Sequence, residues 1–173
     1  AAGLARRAEG RAQRVGLFVD ADDALIEATL AEVGLDILQL HGGETPERAA
    51  EVRGRFGLPV WKAVPVAAAA DLVAARAWRA QADLLLFDAK PPKRPDALPG
   101  GNALAFDWDL IAADRPEGDW MLSGGLTPEN VAAAIARAAP PAVDVASGVE
   151  RRRGEKDPGR IRAIVEAVRR AGG

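Results

Sequence analysis

Six short apolar runs punctuate this chain at nearly regular intervals, and no other feature limits its possible folds so strongly. "RVGLFV" (14–19), "DILQL" (36–40), "PVWKAV" (59–64), "DLLLFD" (83–88), "DWMLSG" (119–124) and "AVDVAS" (142–147) start 22, 23, 24, 36 and 23 residues apart. Between and after them, apolar residues recur at helical spacing over 22–33, 46–56, 68–80, 106–113, 128–138 and 158–171. Strand, helix, strand, helix is the pattern of a parallel sheet covered by helices, because parallel strands need crossover connections and are buried on both faces. A chain of 173 residues, 49% of them hydrophobic, is long enough for one well-buried domain and short for two, so 1–173 is read as a single domain.

Two α/β architectures fit such a repeat: an open doubly wound sheet and a closed (β/α)8 barrel of the TIM type. The doubly wound sheet calls for a G-x-G-x-x-G turn after its first strand, and "FVDADDALIE" offers none. The barrel is favoured by the turns after the last two strands, "SGGLTPEN" and "ASGVE", where barrels commonly bind phosphate. On this reading the six runs are strands three to eight, and "AAGLARRAEGRAQ" is the helix before the third. The 173 residues then run from the second helix through the eighth βα unit, with the first strand, first helix and second strand expected to lie outside them. Six strands cannot close an eight-stranded barrel, so strands three and eight are expected at exposed edges.

Composition narrows the partners. The 23 basic and 25 acidic residues are scattered, which leaves no basic stripe for nucleic acid and no polybasic patch for a membrane. A small-molecule partner is expected, on a monomer or homodimer. With no cysteine there is neither a disulfide nor a thiolate metal site, and one histidine cannot build a zinc site, so no metal is expected and a reducing cytoplasm is the default compartment. No long apolar run suggests a membrane span or signal peptide.

In a barrel, chemistry is carried at the carboxyl ends of the strands. Those ends supply Gln39, His41, Asp88, Ser123, Gly124, Gly125, Asp144, Ser147 and Gly148. Gly124 and Gly125 permit positive φ and a close backbone approach. Thr127 is placed to cap the following helix, with Pro128 in its first position and Glu129 in its first turn. Such a helix start presents free N–H groups to an anion, and Ser147–Gly148 adds a second small-residue turn. A tight turn with no ligand fits the same residues. Burial at a strand end disfavours the charged form of a carboxyl, which suits Asp88 to donate a proton; pairing with Lys90 is the plainer alternative. His41, beside a glycine turn, is placed either to touch a substrate or to orient the loop. Asp144 points away from the side taken by Val143 and Val145. The loop 91–102, with four prolines and two glycines, is long enough to be a lid or a passive excursion.

The stretches "RVGLFV", "DILQLHGGETPE", "LLLFDAK", "GGNALAFDW", "LSGGLTPENV", "VDVASGVE" and "GEKDPGRIRAIV" occur in the order and spacing of phosphoribosylanthranilate isomerase, and the chain resembles that family over essentially its whole length. The resemblance implies an isomerase of tryptophan biosynthesis that performs an Amadori rearrangement on a phosphorylated aminosugar, without metal or organic cofactor. It implies Asp88 as the catalytic acid, Gln39, His41 and Asp144 as substrate-facing residues, and phosphate on the backbone at Gly124, Gly125, Ser147 and Gly148. Two departures stand out. Ala146 replaces a common serine, and the family's general-base cysteine on strand one, with an arginine after strand two, has no counterpart in these residues. A non-catalytic, phosphate-binding barrel fragment is therefore the alternative expectation. Neighbouring phosphosugar barrels fit less well: an epimerase needs metal-ligating histidines, and for a synthase Lys62 is the one lysine among the strands.

Overall fold

The computed structural model describes residues 2–89 and 107–172. The expected loop 91–102 and Lys90 lie outside them. Six strands, β1 (Val15–Phe18), β2 (Ile37–Leu40), β3 (Val60–Val66), β4 (Leu84–Ala89), β5 (Trp120–Leu122) and β6 (Ala142–Val143), form one sheet in the order β1-β2-β3-β4-β5-β6. The registers of β1 with β2, β2 with β3 and β5 with β6 are parallel. Spatial order follows chain order with no reversal, so the sheet has no switch point of the kind that defines a doubly wound fold. Helices α1 (Ala2–Ala8), α2 (Asp23–Val33), α3 (Pro46–Phe56), α4 (Ala69–Ala75), α5 (Trp108–Ala113), α6 (Val131–Ala138) and α7 (Pro158–Gly172) alternate with the strands. No helix among the described residues is long and apolar enough to cross a membrane.

The chain divides into two compact units, Ala1–Ala63 with Ala77–Leu85, and Val64–Arg76 with Leu86–Gly173. The first unit is organised by sharply bounded helices. The Asp22 carboxylate accepts the Leu25 N–H and Gly34, at φ +61°, closes α2; Thr45 Oγ1 accepts the Arg48 N–H, Pro46 opens α3 and Gly57, at φ +65°, ends it. Ala49 and Val52 on one face of α3 and Ile26 on α2 bury completely against Phe18, Leu38, Leu40 and Val60. All four residues of β2 are buried, as expected of a parallel strand covered on both faces. The end strand β1 is different, with Val15 37% and Leu17 57% exposed, in keeping with the expected edge.

Register in this unit is held at the amino ends of the strands. Asp36 takes the Arg14 N–H on Oδ2 at 2.7 Å and returns its own N–H to the Arg14 carbonyl at 2.8 Å. Asp83 repeats the exchange with Val60, at 2.7 Å in both directions. Arg14 also folds its guanidinium onto the Asp36 carboxylate, at 2.9 and 3.0 Å. The aspartates that open "DILQL" and "DLLLFD" are thus reciprocal clamps on the start of the preceding strand.

The second unit has its own core. Val131 of α6, Val149, and Ile164 and Ala167 of α7 pack together with Val143 and Val145 alongside, while Phe87 meets Trp120 edge-on at 5.8 Å. Three expected boundaries move here. The helix expected over 128–138 begins at Val131, because residues 127–130 form a separate turn in which Asn130, rather than Thr127, stands at the cap position. The strand expected over 142–147 closes after Val143, and Ser147–Val149 coils into a 3₁₀ turn followed by a hairpin of β7 (Glu150–Arg152) and β8 (Glu155–Lys156). The helix expected over 68–80 ends at Ala75, with a 3₁₀ turn at Arg76–Trp78.

The side-chain hydrogen bond from Arg14 and the Arg14 backbone N–H lower the Asp36 carboxyl from the usual value near 3.8 to about 2. A depressed folded-state pKa adds stability that is present above the unfolded value and lost as pH falls through the folded one. Urea unfolding of the protein between pH 5 and pH 2 is expected to lose part of its midpoint between about pH 4 and pH 2, and Asp36→Asn is expected to lack that part of the acid dependence.

Candidate active site

The candidate residues stand at the carboxyl ends of strands or in the turns that follow them. In the first unit β2 delivers Gln39, buried, and His41, half-buried, the latter held by its N–H on the Phe18 carbonyl at 2.7 Å. Gln39 Nε2 lies 3.0 Å from His41 Nδ1. An amide NH2 only donates, so Nδ1 is the acceptor of that bond.

The turn beyond His41 is clamped by an ion pair that sequence reasoning missed. Lys62 of β3 and Glu44, 4% and 3% exposed, meet at 2.7 Å, and Lys62 Nζ also donates to the Gly42 carbonyl at 2.7 Å. Glu44 accepts the Asp20 N–H at 2.8 Å and the Gly42 N–H at 2.9 Å, while Asp20 Oδ1 takes the Gly43 N–H at 2.7 Å. Burial pushes the Glu44 carboxyl up, but the Lys62 hydrogen bond, the Asp20 amide, the Lys62 charge and its own backbone amide outweigh it and hold it below the usual range. The loops after β1 and β2 are so tightly engaged that a Cβ on Gly42 would sit 2.6 Å from Asp20 Oδ1. Asp20 itself is held at φ +50°. A glutamate directly after a glycine pair reads as a solvated loop charge, and Lys62 is the one lysine among the six apolar runs.

The second unit holds Asp88, Ser123, Gly124, Gly125, Asp144, Ser147 and Gly148. Asp88, 6% exposed, ends the apolar run of β4 and accepts the Ala89 N–H on Oδ1 at 2.8 Å. Gly124 answers for its own identity. At φ +86° it lies where a Cβ would stand 2.5 Å from Ala89 N and 2.8 Å from Asp88 Oδ1. The glycine turn after β5 therefore packs directly against the acid. Ser123 Oγ donates to Asp144 Oδ2 at 2.9 Å, and the Asp144 N–H extends the β5–β6 ladder to the Leu122 carbonyl at 2.8 Å. With Val143 and Val145 on the core, Asp144 points to the other side as its alternation predicts.

The two small-residue turns meet. A Cβ on Gly148 would collide with the Leu126 carbonyl, so the last turn lies against the backbone of "GGLTPEN". Gly125 is also left-handed, at φ +64°, and its carbonyl accepts Asn130 Nδ2 at 3.0 Å while Asn130 Oδ1 takes the Thr127 N–H at 2.8 Å. Thr127 still contributes, accepting the Glu129 N–H on Oγ1 at 3.2 Å. Asn130 was legible only as a helix residue, because its bonds reach back over three and five positions.

Parallel strands in chain order, with polar groups or glycine turns at or beyond the carboxyl ends of β1, β2, β4, β5 and β6, define an α/β-barrel protein. The family model described as N-(5'phosphoribosyl)anthranilate (PRA) isomerase matches residues 4–167. N-(5'-phosphoribosyl)anthranilate isomerase of Rhodospirillum rubrum is 56% identical over 167 residues, spanning 96% of this chain and 76% of the relative; that of Paracoccus denitrificans is 56% identical over 166 residues, 95% and 76%. The crystal structure of phosphoribosyl anthranilate isomerase from Thermotoga maritima superposes with a TM-score of 0.83 at 34% identity, covering 96% of this chain and 78% of that one. A phosphoribosyl anthranilate isomerase in complex with reduced 1-(o-carboxyphenylamino)-1-deoxyribulose 5-phosphate matches with a TM-score of 0.77 at 33% identity, over 98% and 79% of the two chains. The chain belongs to the N-(5'-phosphoribosyl)anthranilate isomerase family.

Two substitutions test this geometry. Gly124→Ala is expected to cost at least about 1–3 kcal/mol of stability from the strained φ alone, read by denaturant unfolding. Lys62→Met leaves the Glu44 carboxylate buried without its cation and is expected to cost about 3–5 kcal/mol. Because His41 is the one imidazole in the sequence, its proton resonances should move in Lys62→Met if the ion pair holds the turn, and stay in place if it does not.

Proposed function

We propose that the protein catalyses the Amadori rearrangement of N-(5'-phosphoribosyl)anthranilate to 1-(2-carboxyphenylamino)-1-deoxyribulose 5-phosphate. The observation that carries this is the match to isomerases at 56% identity over nearly the whole chain. A relative of the same fold binds the reduced form of that product.

Within this reading Asp88 is the general acid. It gives a proton to the ribose ring oxygen as the C1′–O bond breaks; the nitrogen lone pair forms the C=N bond, and the open-chain iminium results. Loss of the C2′ proton moves its electron pair into C1′=C2′ and neutralises the nitrogen, and the enol tautomerises to the ketone. Burial at the end of β4 supports Asp88, since water is kept from the proton donor, and the Ala89 amide fixes its carboxyl in one rotation. The C2′ proton is assigned to no residue here, because the sequence has no cysteine to match the family's base.

Phosphate is assigned to the backbone of Gly124, Gly125, Ser147 and Gly148. Support comes from the left-handed glycine pair and from the close seating of Gly148 on Leu126, which together bring main chain rather than side chains to the surface of both turns. Gln39, His41 and Asp144 are assigned to the remainder of the substrate. For His41 the support is its place one residue past β2, where Gln39 Nε2 lies 3.0 Å from its Nδ1 and sets the orientation of the ring. Asp144, steadied by Ser123, is suited to accept from ribose hydroxyls.

Asp88→Asn keeps the shape of the side chain and removes the transferable proton. In the complete protein kcat is expected to fall by about 10²–10⁴-fold with little change in affinity for inorganic phosphate. A kcat near that of the unaltered protein would remove Asp88 from the acid role.

A further inference from the structure

Arg160, in the first turn of α7, makes contacts with both glycine turns at once. Its Nε donates to the Gly148 carbonyl at 3.0 Å, and its two terminal nitrogens donate to the two oxygens of Glu129 at 3.2 and 3.0 Å. Glu129 belongs to the turn after β5, where its N–H rests on Thr127 Oγ1. Three donors of one planar guanidinium therefore bridge a main-chain carbonyl in the β6 turn and a side chain in the β5 turn, a geometry that a fork can satisfy and a point charge cannot. Lys156 holds the other flank of the β6 turn, donating to the Ala146 carbonyl and to Glu150 Oε1, each at 2.8 Å. Because the Arg160 charge is met by Glu129, the arginine is placed as a tie between the turns and not as an anion ligand.

We propose that Arg160 is a positioning residue that sets the spacing of the two glycine turns, and so the affinity for the substrate's phosphate. This rests on the assignment of phosphate to those turns under Proposed function. Preorganised amides bind an anion without first being ordered; cutting the tie returns that cost to the binding step. The effect should fall on KM and phosphate affinity more than on kcat, because Asp88 is carried by β4 and accepts the Ala89 N–H of its own strand, neither of which Arg160 touches.

The test is a titration of the full-length protein with inorganic phosphate, followed by the backbone amide signals of Gly125 and Gly148, with steady-state kinetics and unfolding midpoints in parallel. Arg160→Ala and Glu129→Gln are each expected to weaken phosphate binding and raise KM by roughly tenfold, the double variant being no worse than Arg160→Ala, with Arg160→Lys recovering only part of the loss. Glu129 is exposed, so its variant carries the test if Arg160→Ala does not fold. Unaltered phosphate affinity in both single variants, with or without a lower unfolding midpoint, overturns the proposal. Tighter or unchanged binding in Glu129→Gln beside a loss in Arg160→Ala would also overturn it, making Arg160 a direct ligand. Silence of both amides in the unaltered protein would instead refute the phosphate assignment itself, and the proposal with it.

Discussion

Parallel strands slip easily unless something sets their register, and here the setting is done at the amino ends. Asp36 and Asp83 each trade two hydrogen bonds with a residue at the start of the preceding strand, and the strand register of the first unit depends on that exchange. A one-residue slip would send each β2 side chain to the opposite face of the sheet, so that Leu38 and Leu40 would lose the neighbours they now pack against. With register settled at one end, the carboxyl ends are released from that task. There the chain can place groups that a sheet would otherwise reject: a buried amide, a buried carboxyl and backbone in left-handed conformations.

Those groups are supported by two different physical means. After β2 the support is ionic: Lys62 and Glu44 lose their water, and the loss is offset by four short contacts, between the two and to the backbone of Asp20 and Gly42, while the Asp20 carboxylate holds the Gly43 N–H. An arrangement of that kind has one satisfied state, which makes the His41 turn rigid. After β5 and β6 the support is steric. Gly124 fits against Asp88 and Gly148 against Leu126 only because neither has a side chain. Arg160 and Lys156 then fasten the second turn from outside, through carbonyl groups.

The strand–helix alternation was legible because it is local: a run of apolar residues, a cap such as Asp22 or Thr45, and a glycine such as Gly34 or Gly57 lie within a few positions of one another. The barrel order and the strand-end positions of Gln39, His41, Asp88 and Asp144 followed from that alternation and from the family resemblance. What stayed hidden was set over longer distances. Glu44 meets Lys62 across 18 residues, Arg160 meets Glu129 across 31, and neither pairing has a pattern in the sequence. The start of α6 was misplaced because Thr127, Pro128 and Asn130 all carry cap chemistry, and the Asn130 amide, reaching back to Gly125, decides among them. The strand at 142–147 was read too long because valines at 143 and 145 continue the alternation after the ladder has ended, their apolar faces still serving the core.

Glycines that pack without room for a methyl group have a consequence for how such a protein can change over generations. A Cβ at Gly124 or Gly148 would run into main chain, so nearly every point mutation at either position carries a steric cost. Variation has to enter through residues with side chains to exchange, such as Gln39, His41 and Asp144. Under the assignment proposed above, a lineage drifting toward a new substrate would revise the part of its ligand met by side chains and keep the part met by the glycine turns.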